Sequence, residues 1–557
     1  MLSLKPFQAA LHLTGRLRSP SPVRWLTYVL LLLTLWGCNL KGRQGKTYVM
    51  AYEEGIDFTQ SLTRAVGDAR ARGLTTITLP PGTHAVSSTF LLPSDFTFLG
   101  ENKTVLKAEM IRTARGGYPV TIFDSPETGV ENVVIKGIVF DGNGAGMKKN
   151  LSQTEGAANT LRLRNSRNVK FIDCELRNHF SNIPAPYSAA NFEEVRSCVG
   201  FSVEGCNRIT LTDFRLRALP NEALLFYDSK NILVEGMDSK SHRELSTHLN
   251  FLYCDTVDVK NGFFSYDRGG GSCLNIESSN VRIADNDFEN GRGIDISNEA
   301  GFEDFYPENV VVTGNRLTDV KYYGIMRNRT KRALKNFTVT DNHIAINGAT
   351  GSRKGVKIMA IKTDDTEGAL VQNNQISFNN TRSDNDHIAF GSFGYRENGT
   401  ELKENIITGA DYLYWGNTLA GGKTDITISN NDCSLSGKDN APGAIYLYNG
   451  HRGRPGGELN GLRIEHNRIT GKDGTRLLAV VSRNKTKLND LIVTNNNPGG
   501  GGTNIVLSGK ALTLTGRFEV TSAAGSKAAS VLLEEVKLPE AVIRQIGEEV
   551  SITKRNR

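Results

Sequence analysis

The sequence lacks several patterns that would assign it to a familiar class at once. Its 7 cysteines form no C-x-x-C pair, so neither a zinc site nor a thioredoxin-like redox site is indicated. Glycine is abundant, at 57 residues, but it follows no G-X-Y period, which excludes a collagen-like chain. Lys and Arg exceed Asp and Glu by only 66 to 59, and there is no arginine-rich arm, so nucleic acid is not an expected partner.

Disorder is also excluded by composition. The chain is 38% hydrophobic and 8% aromatic, which is enough apolar material for a packed core. Asparagine often stands in N-N, G-N or D-N pairs, and these favour turns and strands over long helices. Most cysteines occupy positions where an apolar residue is expected. We therefore expect buried free thiols, with at least one disulfide as the alternative for an exported chain.

A long apolar run occurs once, at residues 25–35, after a basic start, and it is too short to cross a bilayer comfortably. It predicts an export signal. The following Leu35-Trp36-Gly37-Cys38 resembles the lipobox of bacterial lipoproteins, although Trp36 is unusual there. The resemblance implies lipidation at Cys38, and Asn39 implies an anchor in the outer membrane or at the cell surface. An ordinary cleaved signal, giving a periplasmic or secreted protein, is the alternative.

Short segments with alternating apolar residues recur along the rest of the chain. A minimum spacing near 24 residues with variable insertions is typical of a solenoid, in which Val, Ile and Phe face inward. Asparagine at the turns tolerates left-handed backbone angles, and stacked amides can bond from coil to coil. The first eight segments begin at Asn132, Asn168, Asn207, Asn231, Thr256, Asn280, Asn309 and Asn336, with separations of 36, 39, 24, 25, 24, 29 and 27 residues.

These repeats resemble the right-handed parallel β-helix of pectate lyases and their relatives, over roughly residues 121–510. The opening is similar to that of pectate-lyase-like and polygalacturonase-like proteins: a helix predicted over 56–70, a strand ending in Pro80-Pro81-Gly82-Thr83, and a strand ending in Gly100-Glu101. The resemblance implies an all-β right-handed parallel β-helix. It leaves the chemistry open, because lyases, hydrolases, epimerases and phage tailspikes share that fold.

Four segments are expected: a signal peptide at 1–37, an N-terminal cap with the first coils at 38–120, the β-helix at 121–510, and a C-terminal cap at 511–557. Both ends of a solenoid expose strand edges and apolar core that must be covered. We therefore expect a short helix cap at each end, the second over residues 538–550. We expect a monomer.

One row of strands collects polar residues, and we expect it to carry the site. Alternation predicts that Asn250, Asn275, Glu277 and Asp295 face outward on adjacent coils. Such a gathering on one face favours a functional site over a solvated sheet face. The residues expected around this face are His242, Arg243, His248 and Arg268 from insertions, Tyr227 from the preceding coil, Arg327 from the following coil, aimed outward by a bulge, and Arg329 from the basic stretch 321–335.

The basic stretch favours an acidic, uronate-containing polysaccharide cleaved by β-elimination. In that reaction a cation neutralises the substrate carboxylate, a base removes the C5 proton, and an acid assists the leaving oxygen. Arg243, Arg268 or Arg327 would supply the cation, with Arg243, Arg327, Arg329, Asn250 and Asn275 binding substrate. The acid and base would come from His242, His248 or Tyr227, and a calcium ion held by Glu277 and Asp295 is an alternative neutralising group.

Hydrolysis by an inverting mechanism is the first alternative. Glu277 and Asp295 are predicted one coil apart and two residues offset, which places their α-carbons roughly 8 Å apart. That separation is compatible with an inverting pair. A non-catalytic glycan-binding β-helix is the second alternative. Lys362-Thr363-Asp364-Asp365 resembles the aspartate pair of polygalacturonases, but the companion motifs of that family are missing, as is the Asp-Pro-His motif of mannuronan epimerases.

Overall fold

The structure is a computed structural model, and part of the chain is described in it. The predicted signal peptide with Cys38 and the predicted C-terminal helix over 538–550 lie outside the described residues. The described ranges are 47–53, 55–113, 116–144, 159–179, 199–217, 222–241, 247–267, 273–297, 307–328, 333–347, 355–379, 384–394, 396–417, 422–438, 441–449, 457–472, 475–499, 504–524, 527–536 and 550–555.

The predicted N-terminal helix is present as α1, Phe58–Ala71. Its apolar residues recur at the helical spacing, so one face is buried while the polar residues stay outside. Phe58, Leu62 and Ala69 join the core of the solenoid at its N-terminal end, which is the role expected of a cap. A search of the described residues for a helix of membrane-spanning length and apolarity finds none.

Strands fill most of the remaining described chain. The opening coils contain β1 Tyr48–Val49, β2 Thr76–Thr78, β3 Gly82–Val86, β4 Phe90–Leu91, β5 Thr97–Ala108, β6 Met110–Thr113, β7 Gly116–Pro119, β8 Phe123–Asp124, β9 Glu131–Asp141, β10 Leu161–Arg164, β11 Arg167–Ile172, β12 Glu175–Arg177, β13 Phe201–Glu204, β14 Asn207–Thr212 and β15 Arg215–Arg217. The middle coils contain β16 Glu222–Tyr227, β17 Lys230–Glu235, β18 Asp238–Ser241, β19 Thr247–Lys260, β20 Phe263–Tyr266, β21 Leu274–Ala284, β22 Asp287–Glu289, β23 Ile294–Ile296, β24 Glu308–Thr313, β25 Arg316–Val320, β26 Tyr323–Arg327, β27 Leu334–Thr340, β28 His343–Asn347, β29 Lys357–Thr363, β30 Thr366–Gln372 and β31 Gln375–Asn379. The last coils contain β32 Asp386–Ser392, β33 Glu397–Lys403, β34 Ile406–Ala410, β35 Tyr412–Asn417, β36 Lys423–Ser429, β37 Asp432–Leu435, β38 Ile445–Asn449, β39 Gly457–Glu465, β40 Arg468–Thr470, β41 Leu478–Ser482, β42 Thr486–Asn496, β43 Asn504–Ser508, β44 Leu512–Ser522, β45 Ser530–Glu534 and β46 Ser551–Arg555.

Apart from the antiparallel hairpin of β6 and β7, the strands stack in parallel into three sheets along the molecule, so the predicted parallel β-helix is confirmed. Long strands such as β19 bend from one sheet into the next. The parallel ladder also runs through β1 and β46, outside the 121–510 range. Sheet 1 contains β4, β8, β10, β13, β16, β19, β21, β23, β26, β29, β32, β35, β38, β41, β43, β45 and β46; sheet 2 contains β1, β2, β5, β9, β11, β14, β17, β19, β21, β24, β27, β30, β33, β36, β39, β42 and β44; sheet 3 contains β3, β5, β9, β12, β15, β18, β20, β22, β25, β28, β31, β34, β37 and β40.

Alternation along each strand sends apolar side chains into one continuous core. In sheet 1, for example, Leu249, Leu274, Ile294 and Ile325 align on successive coils and are fully buried. No single coil can bury such a face alone, so the stacking of coils supplies the hydrophobic stabilisation. The described cysteines are free thiols, as the sequence predicts, and they lie in this interior: Cys174, Cys206, Cys254, Cys273 and Cys433.

A buried asparagine ladder joins sheet 2 to sheet 3 on eight coils. At each rung the backbone N–H and the side-chain Nδ2 donate to the Oδ1 of the next asparagine, as Asn342 does to Asn374 at 3.0 Å. The same Nδ2 also donates to two backbone carbonyl oxygens, those of Val312 and Thr340 for Asn342. The rungs are Asn286, Asn315, Asn342, Asn374, Asn405, Asn431, Asn467 and Asn496.

A second, exposed ladder lies at the turn between sheet 1 and sheet 2. Asn336 donates to Asn309, and Asn309 donates to Asn280, each at 2.8 Å. These residues have φ angles of 54° to 57°, a left-handed conformation that asparagine tolerates better than most side chains. The predicted roles of turn asparagines, left-handed backbone and coil-to-coil bonding, are therefore confirmed.

The buried ladder stabilises the fold more per residue than the exposed one. We expect Asn342→Ala to lower the free energy of unfolding by about 3 kcal/mol, because several buried N–H and C=O groups lose their partners without gaining water. Asn309→Gly is the matched control, because glycine accepts the left-handed φ of 57° at this position, and we expect about 0.5 kcal/mol from it since water replaces the lost bonds. Urea unfolding followed by circular dichroism measures both values. Equal losses in the two variants would contradict the assignment.

Candidate functional site

The longest connections between strands lie beside sheet 1. The link between sheets 2 and 3 is short, as where β17 ends at Glu235 and β18 begins at Asp238. The chain leading into and out of sheet 1 is longer, as between β23, which ends at Ile296, and β24, which begins at Glu308. Loops around a rigid sheet are where binding and catalytic residues concentrate in proteins. The outer face of sheet 1 is therefore the candidate site.

The predicted polar row is present on this outer face. Asn250, Asn275 and Asp295 align directly on β19, β21 and β23. Asn275 donates through Nδ2 to Asn250 Oδ1 at 3.0 Å and accepts from the Ser297 hydroxyl at 3.0 Å. Glu277 follows Asn275 by two residues and has the same outward parity. We call Asn250, Asn275, Glu277 and Asp295 the polar row.

The polar row is far less exposed than an open groove would make it. Relative exposures are 0% for Asn250, 8% for Asn275, 1% for Glu277 and 8% for Asp295. The four side chains of the polar row are therefore largely buried. Adjacent coils hold outward side chains about 4.8 Å apart, close enough to hydrogen-bond to one another, as Asn275 and Asn250 do.

A chain of polar contacts extends from the polar row to three residues beyond it. Asn328 donates through Nδ2 to both carboxylate oxygens of Asp295, at 3.0 and 3.3 Å. Lys362 donates to Asn328 Oδ1 at 3.4 Å, and its ammonium lies 2.9 Å from Asp364. Burial raises the pKa of Asp364, and Lys362 partly offsets this effect. The contacts orient Asp295 and connect it to a cation two coils away.

Asn328, Lys362 and Asp364 were not among the residues assigned from sequence. The Lys362–Asp365 segment was considered for its likeness to polygalacturonases and set aside because companion motifs were missing. The register of β29 on β26 supplies the missing signal, since it aligns Lys362 with Met326, and Thr363 with Arg327, the residue before Asn328.

Glu277 adjoins an aromatic and apolar edge of the polar row. It aligns with Leu252 on the preceding coil, and Leu252 packs in a small outer cluster with Leu225 and Tyr227. Tyr227 and Tyr253 pack edge to face, with ring centroids 5.7 Å apart. Burial, together with the negative charge of Glu277, raises the pKa of Tyr253. Tyr227, a predicted acid or base, is half-buried at the edge of this cluster.

His248 does not face the candidate site, and its predicted catalytic role is corrected. The N–H groups of His248 and Leu249 both donate to Cys273 O, at 3.1 and 3.2 Å, and this irregularity turns the imidazole inward. The ring packs 4.5 Å from Tyr266, and Nδ1 hydrogen-bonds to Ser239 inside the solenoid. Burial lowers the pKa of His248 to about 3. A neutral imidazole in the core cannot exchange a proton with substrate on the outer face.

Arg327 is likewise not a substrate-binding residue of the outer face. It aligns with Ile296 and Thr363, which point inward, so the bulge needed to aim it outward is absent at this position. Its Nη1 donates to Ile296 O at 3.4 Å. Burial lowers the pKa of Arg327 to about 10, while Asp365 and Asp364 partly offset the effect. The guanidinium lies beneath the outer carboxylates instead of among them.

Arg327 is one of several charged side chains inside the solenoid. Glu397 and Lys423 are fully buried and form an ion pair at 2.7 Å. Thr363 and Tyr414 donate hydroxyl hydrogen bonds to Glu397, each at 3.0 Å. Burial alone would raise the pKa of Glu397, but Lys423 and the surrounding hydrogen bonds hold it below its usual value. The two buried charges thus compensate each other and are also hydrogen-bonded, which is the condition under which buried ions are tolerated.

Four of the predicted site residues cannot be placed. His242, Arg243, Arg268 and Arg329 lie outside the described residues. The described ranges contain no group of three or more His, Cys, Asp or Glu side chains arranged to hold a metal ion. The calcium alternative at Glu277 and Asp295 therefore stays a prediction.

The outer face of sheet 1 becomes aromatic toward the C-terminal coils. Trp415 packs 4.7 Å from Tyr412 and 5.2 Å from Tyr446, measured between ring centroids. These rings belong to a cluster outside the main core. Its members, which we call the aromatic patch, are Tyr323, Met359, Ile388, Phe393, Tyr412, Trp415, Ala441 and Tyr446.

Comparison with known proteins agrees with the fold. Residues 199–363 match the family model described as right handed beta helix region. Among solved structures, the chain is similar to the tailspike protein of E. coli bacteriophage HK620 in complex with pentasaccharide, with a TM-score of 0.45, 13% identity, and coverage of 90% of this chain and 77% of that one. It is also similar to the endo-xylogalacturonan hydrolase from Aspergillus tubingensis, with a TM-score of 0.34, 12% identity, and coverage of 76% and 95%. No curated protein matches the sequence. These similarities leave the activity to be argued from the side chains.

The interior position of His248 predicts a pH effect on stability. Its pKa is about 3 in the folded chain and 6.5 as a model value, so between those pH values the unfolded state binds a proton that the folded state does not. Stability therefore falls as the pH drops through this window, by up to about 1.4 kcal/mol per pH unit. We expect His248→Gln to unfold with a shallower pH dependence between pH 6.5 and 4. An unchanged slope in urea titrations would contradict the buried, neutral state.

The buried ion pair predicts a second effect. Lys423→Met leaves Glu397 without its counter-charge, and we expect a loss of about 3–5 kcal/mol at pH 7. Glu397→Gln combined with Lys423→Met should recover most of that loss, because the amide carries no charge and still accepts hydrogen bonds. In the native chain the stabilisation from Glu397 is present above its unfolded pKa of 4.5 and is lost as the pH falls through its lower folded pKa. Calorimetric unfolding of the three chains provides the comparison.

Proposed function

We propose that the chain acts on a polysaccharide bound along the outer face of sheet 1 and cleaves it by hydrolysis, with Glu277 and Asp295 as the acid and base. The observation that carries this proposal is the register, which aligns Asn275 with Asp295 and so places Glu277 one coil and two residues away on the same face. From ~4.8 Å between strands and ~6.6 Å along a strand, the α-carbons are roughly 8 Å apart. Inverting glycosidases hold their carboxyl groups about 6.5–9.5 Å apart.

The surroundings of the two carboxylates favour different roles. Asp295 accepts hydrogen bonds from Asn328 on both oxygens, which orients it and favours its ionised form. That form suits the base, which takes a proton from the water that attacks the anomeric carbon. Glu277, which aligns with Leu252 on the preceding coil, then takes the remaining role of the acid, which gives its proton to the leaving glycosidic oxygen. Exchange with solvent then restores both groups.

The burial of both carboxylates sets a condition on this reaction. A sugar unit reaches Glu277 and Asp295 only if side chains on the outer face shift when it binds. Once it is bound, the same side chains exclude bulk water, and hydrogen bonds to developing charge act in a low-dielectric site. The burial also favours a second candidate function, non-catalytic glycan binding, in which the carboxylates serve as hydrogen-bond acceptors.

Elimination has less support than hydrolysis from the described residues. Of its three predicted acids or bases, His248 lies inside the solenoid, Tyr227 is half-buried and His242 falls outside the described ranges. Its predicted cation Arg327 also lies inside, and the ammonium of Lys362 is already paired with Asp364. The remaining predicted cations fall outside the described ranges. The products separate the two reactions, because elimination leaves an unsaturated sugar that absorbs in the near ultraviolet and hydrolysis leaves reducing ends alone.

We also propose export, with lipidation at Cys38, since a polymer too large to enter the cell must be met outside it. Labelling of the expressed protein with a radioactive or clickable fatty acid tests this step. Cys38→Ala should abolish the label and release the protein from the membrane fraction. Retention of the label in that variant would contradict the lipid anchor.

Replacement of the carboxylates tests the reaction. Glu277→Gln and Asp295→Asn should each lower the rate of reducing-end formation about 10²–10⁴-fold, because each removes one proton-transfer group. Asp258→Asn is the matched control, since Asp258 is an acidic residue that pairs with Arg282 on sheet 2. Full activity in both site variants would contradict the proposed pair. Glycan binding without cleavage by the native chain, over a broad polysaccharide panel, would favour the non-catalytic function.

A further inference from the structure

Beside the aromatic patch lies the cation of Lys357, which forms no salt bridge among the described residues but interacts electrostatically with Asp386. The Lys357 ammonium lies 3.8 Å from the ring centroid of Trp415 and 4.7 Å from that of Phe393. The carboxylate nearest in register, Asp386, is already paired with Lys438 at 2.7 Å. A half-buried ammonium held over aromatic rings is partly desolvated, so it gains more from an incoming anion than an exposed lysine does.

Trp415 supplies a second group without a partner. Its indole is 9% exposed, and its Nε1 is buried with no hydrogen-bond acceptor among the described residues. A buried indole N–H usually finds an acceptor, so this donor is available to a ligand. Tyr446, which is half-buried beside Trp415, adds an aromatic ring of the kind that lines ligand sites.

The patch is continuous with the proposed catalytic face. Asp295, Met326, Lys362, Gly391 and Trp415 align one per coil on the outer side of sheet 1. Trp415 is therefore four coils beyond Asp295, or about 19 Å along the solenoid. A polymer that lies along the sheet with one unit at Asp295 places a more distant unit over the aromatic patch.

We propose that the aromatic patch is a binding subsite for an acidic sugar unit of the polysaccharide, remote from the point of cleavage. Lys357 binds the sugar carboxylate, Trp415 Nε1 donates a hydrogen bond to the same unit, and the ring of Tyr446 packs against its apolar face. This inference rests on the proposed function for the path of the polymer. It adds the substrate class, a uronate-containing chain, which the polar row does not specify.

Binding to a chain that cannot cleave its ligand tests the inference. We would use Glu277→Gln combined with Asp295→Asn, and titrate oligosaccharides of galacturonate, mannuronate and hyaluronan, each beside its carboxyl-reduced neutral counterpart. Calorimetry gives the affinities. The sequence contains 3 tryptophans. Subtracting the fluorescence of the double variant with Trp415→Phe added from that of the double variant alone leaves the emission of Trp415. We expect an acidic oligosaccharide to bind tighter than its neutral counterpart and to change the Trp415 emission.

Single substitutions then assign the contacts. Lys357→Gln should weaken binding of the acidic oligosaccharide about 10–100-fold, the loss of one charge-assisted contact, and leave the neutral counterpart within about twofold. Lys240→Gln is the matched control, because Lys240 also lies over an aromatic ring, that of Phe263 at 5.5 Å, but on sheet 3. Trp415→Phe keeps a ring and removes the N–H, and should weaken both ligands about 3–10-fold.

The outcomes distinguish this inference from the proposed function. Cleavage of an acidic polymer with unchanged affinity in Lys357→Gln overturns the subsite and leaves the catalytic proposal standing. Binding that depends on Lys357, in a native chain that cleaves no polymer, supports the subsite and overturns hydrolysis. Failure of every acidic oligosaccharide to bind, or equal binding of acidic and neutral forms, overturns the subsite.

Discussion

The coil-to-coil register of the parallel strands is the constraint on which the rest of the structure depends. Each residue of sheet 1 has its lateral neighbours on the coils above and below, far away in sequence but fixed about 4.8 Å away in space. The alignment of Asn250, Asn275 and Asp295 is one result of this register, and the alignment of Leu249, Leu274 and Ile294 in the core is another. A shift of one residue would exchange the two sets, so the hydrophobic core fixes the geometry of the outer face.

The same register also accounts for charged side chains on the inner side of sheet 1 as well as on its outer side. Where the apolar row continues past Ile296, it is occupied by Arg327 and Thr363, and Glu397 and Lys423 complete a polar interior at the corner with sheet 2. Buried ions of this kind are costly unless paired. Arg327 places positive charge beneath the outer carboxylates, with which it interacts electrostatically. The outer face is thus supported by a charged layer under it as well as by its own hydrogen bonds.

The sequence was sufficient for the fold and for part of the site. Alternating Val and Ile triplets and turn asparagines predict a solenoid because both reflect local backbone preferences repeated on each coil. The alternation of inward and outward side chains along a strand places Asn275 and Asp295 correctly on the outer face for the same reason. His248 was misplaced because its orientation depends on a shared acceptor at Cys273, which alternation does not encode. Arg327 was misplaced because the prediction assumed a bulge, whereas simple alternation along β26 points it inward, as observed. The burial of Glu277 depends on neighbours from other coils, and the residue pattern of a single strand does not show which those neighbours are.

The buried asparagine ladder begins at Asn286, and the coils before it carry other residues at the same corner. Backbone hydrogen bonds from Arg215 to Cys174, from Asp238 to Phe214 and from Phe263 to Met237 mark the equivalent positions, which are filled by apolar side chains. The first coils are therefore joined at this corner by dispersion forces, and the later ones by shared amide hydrogen bonds that require a fixed orientation. The polar row, from Asn250 to Asp295, spans the coils where one kind of corner gives way to the other, so the proposed catalytic coils rest on both.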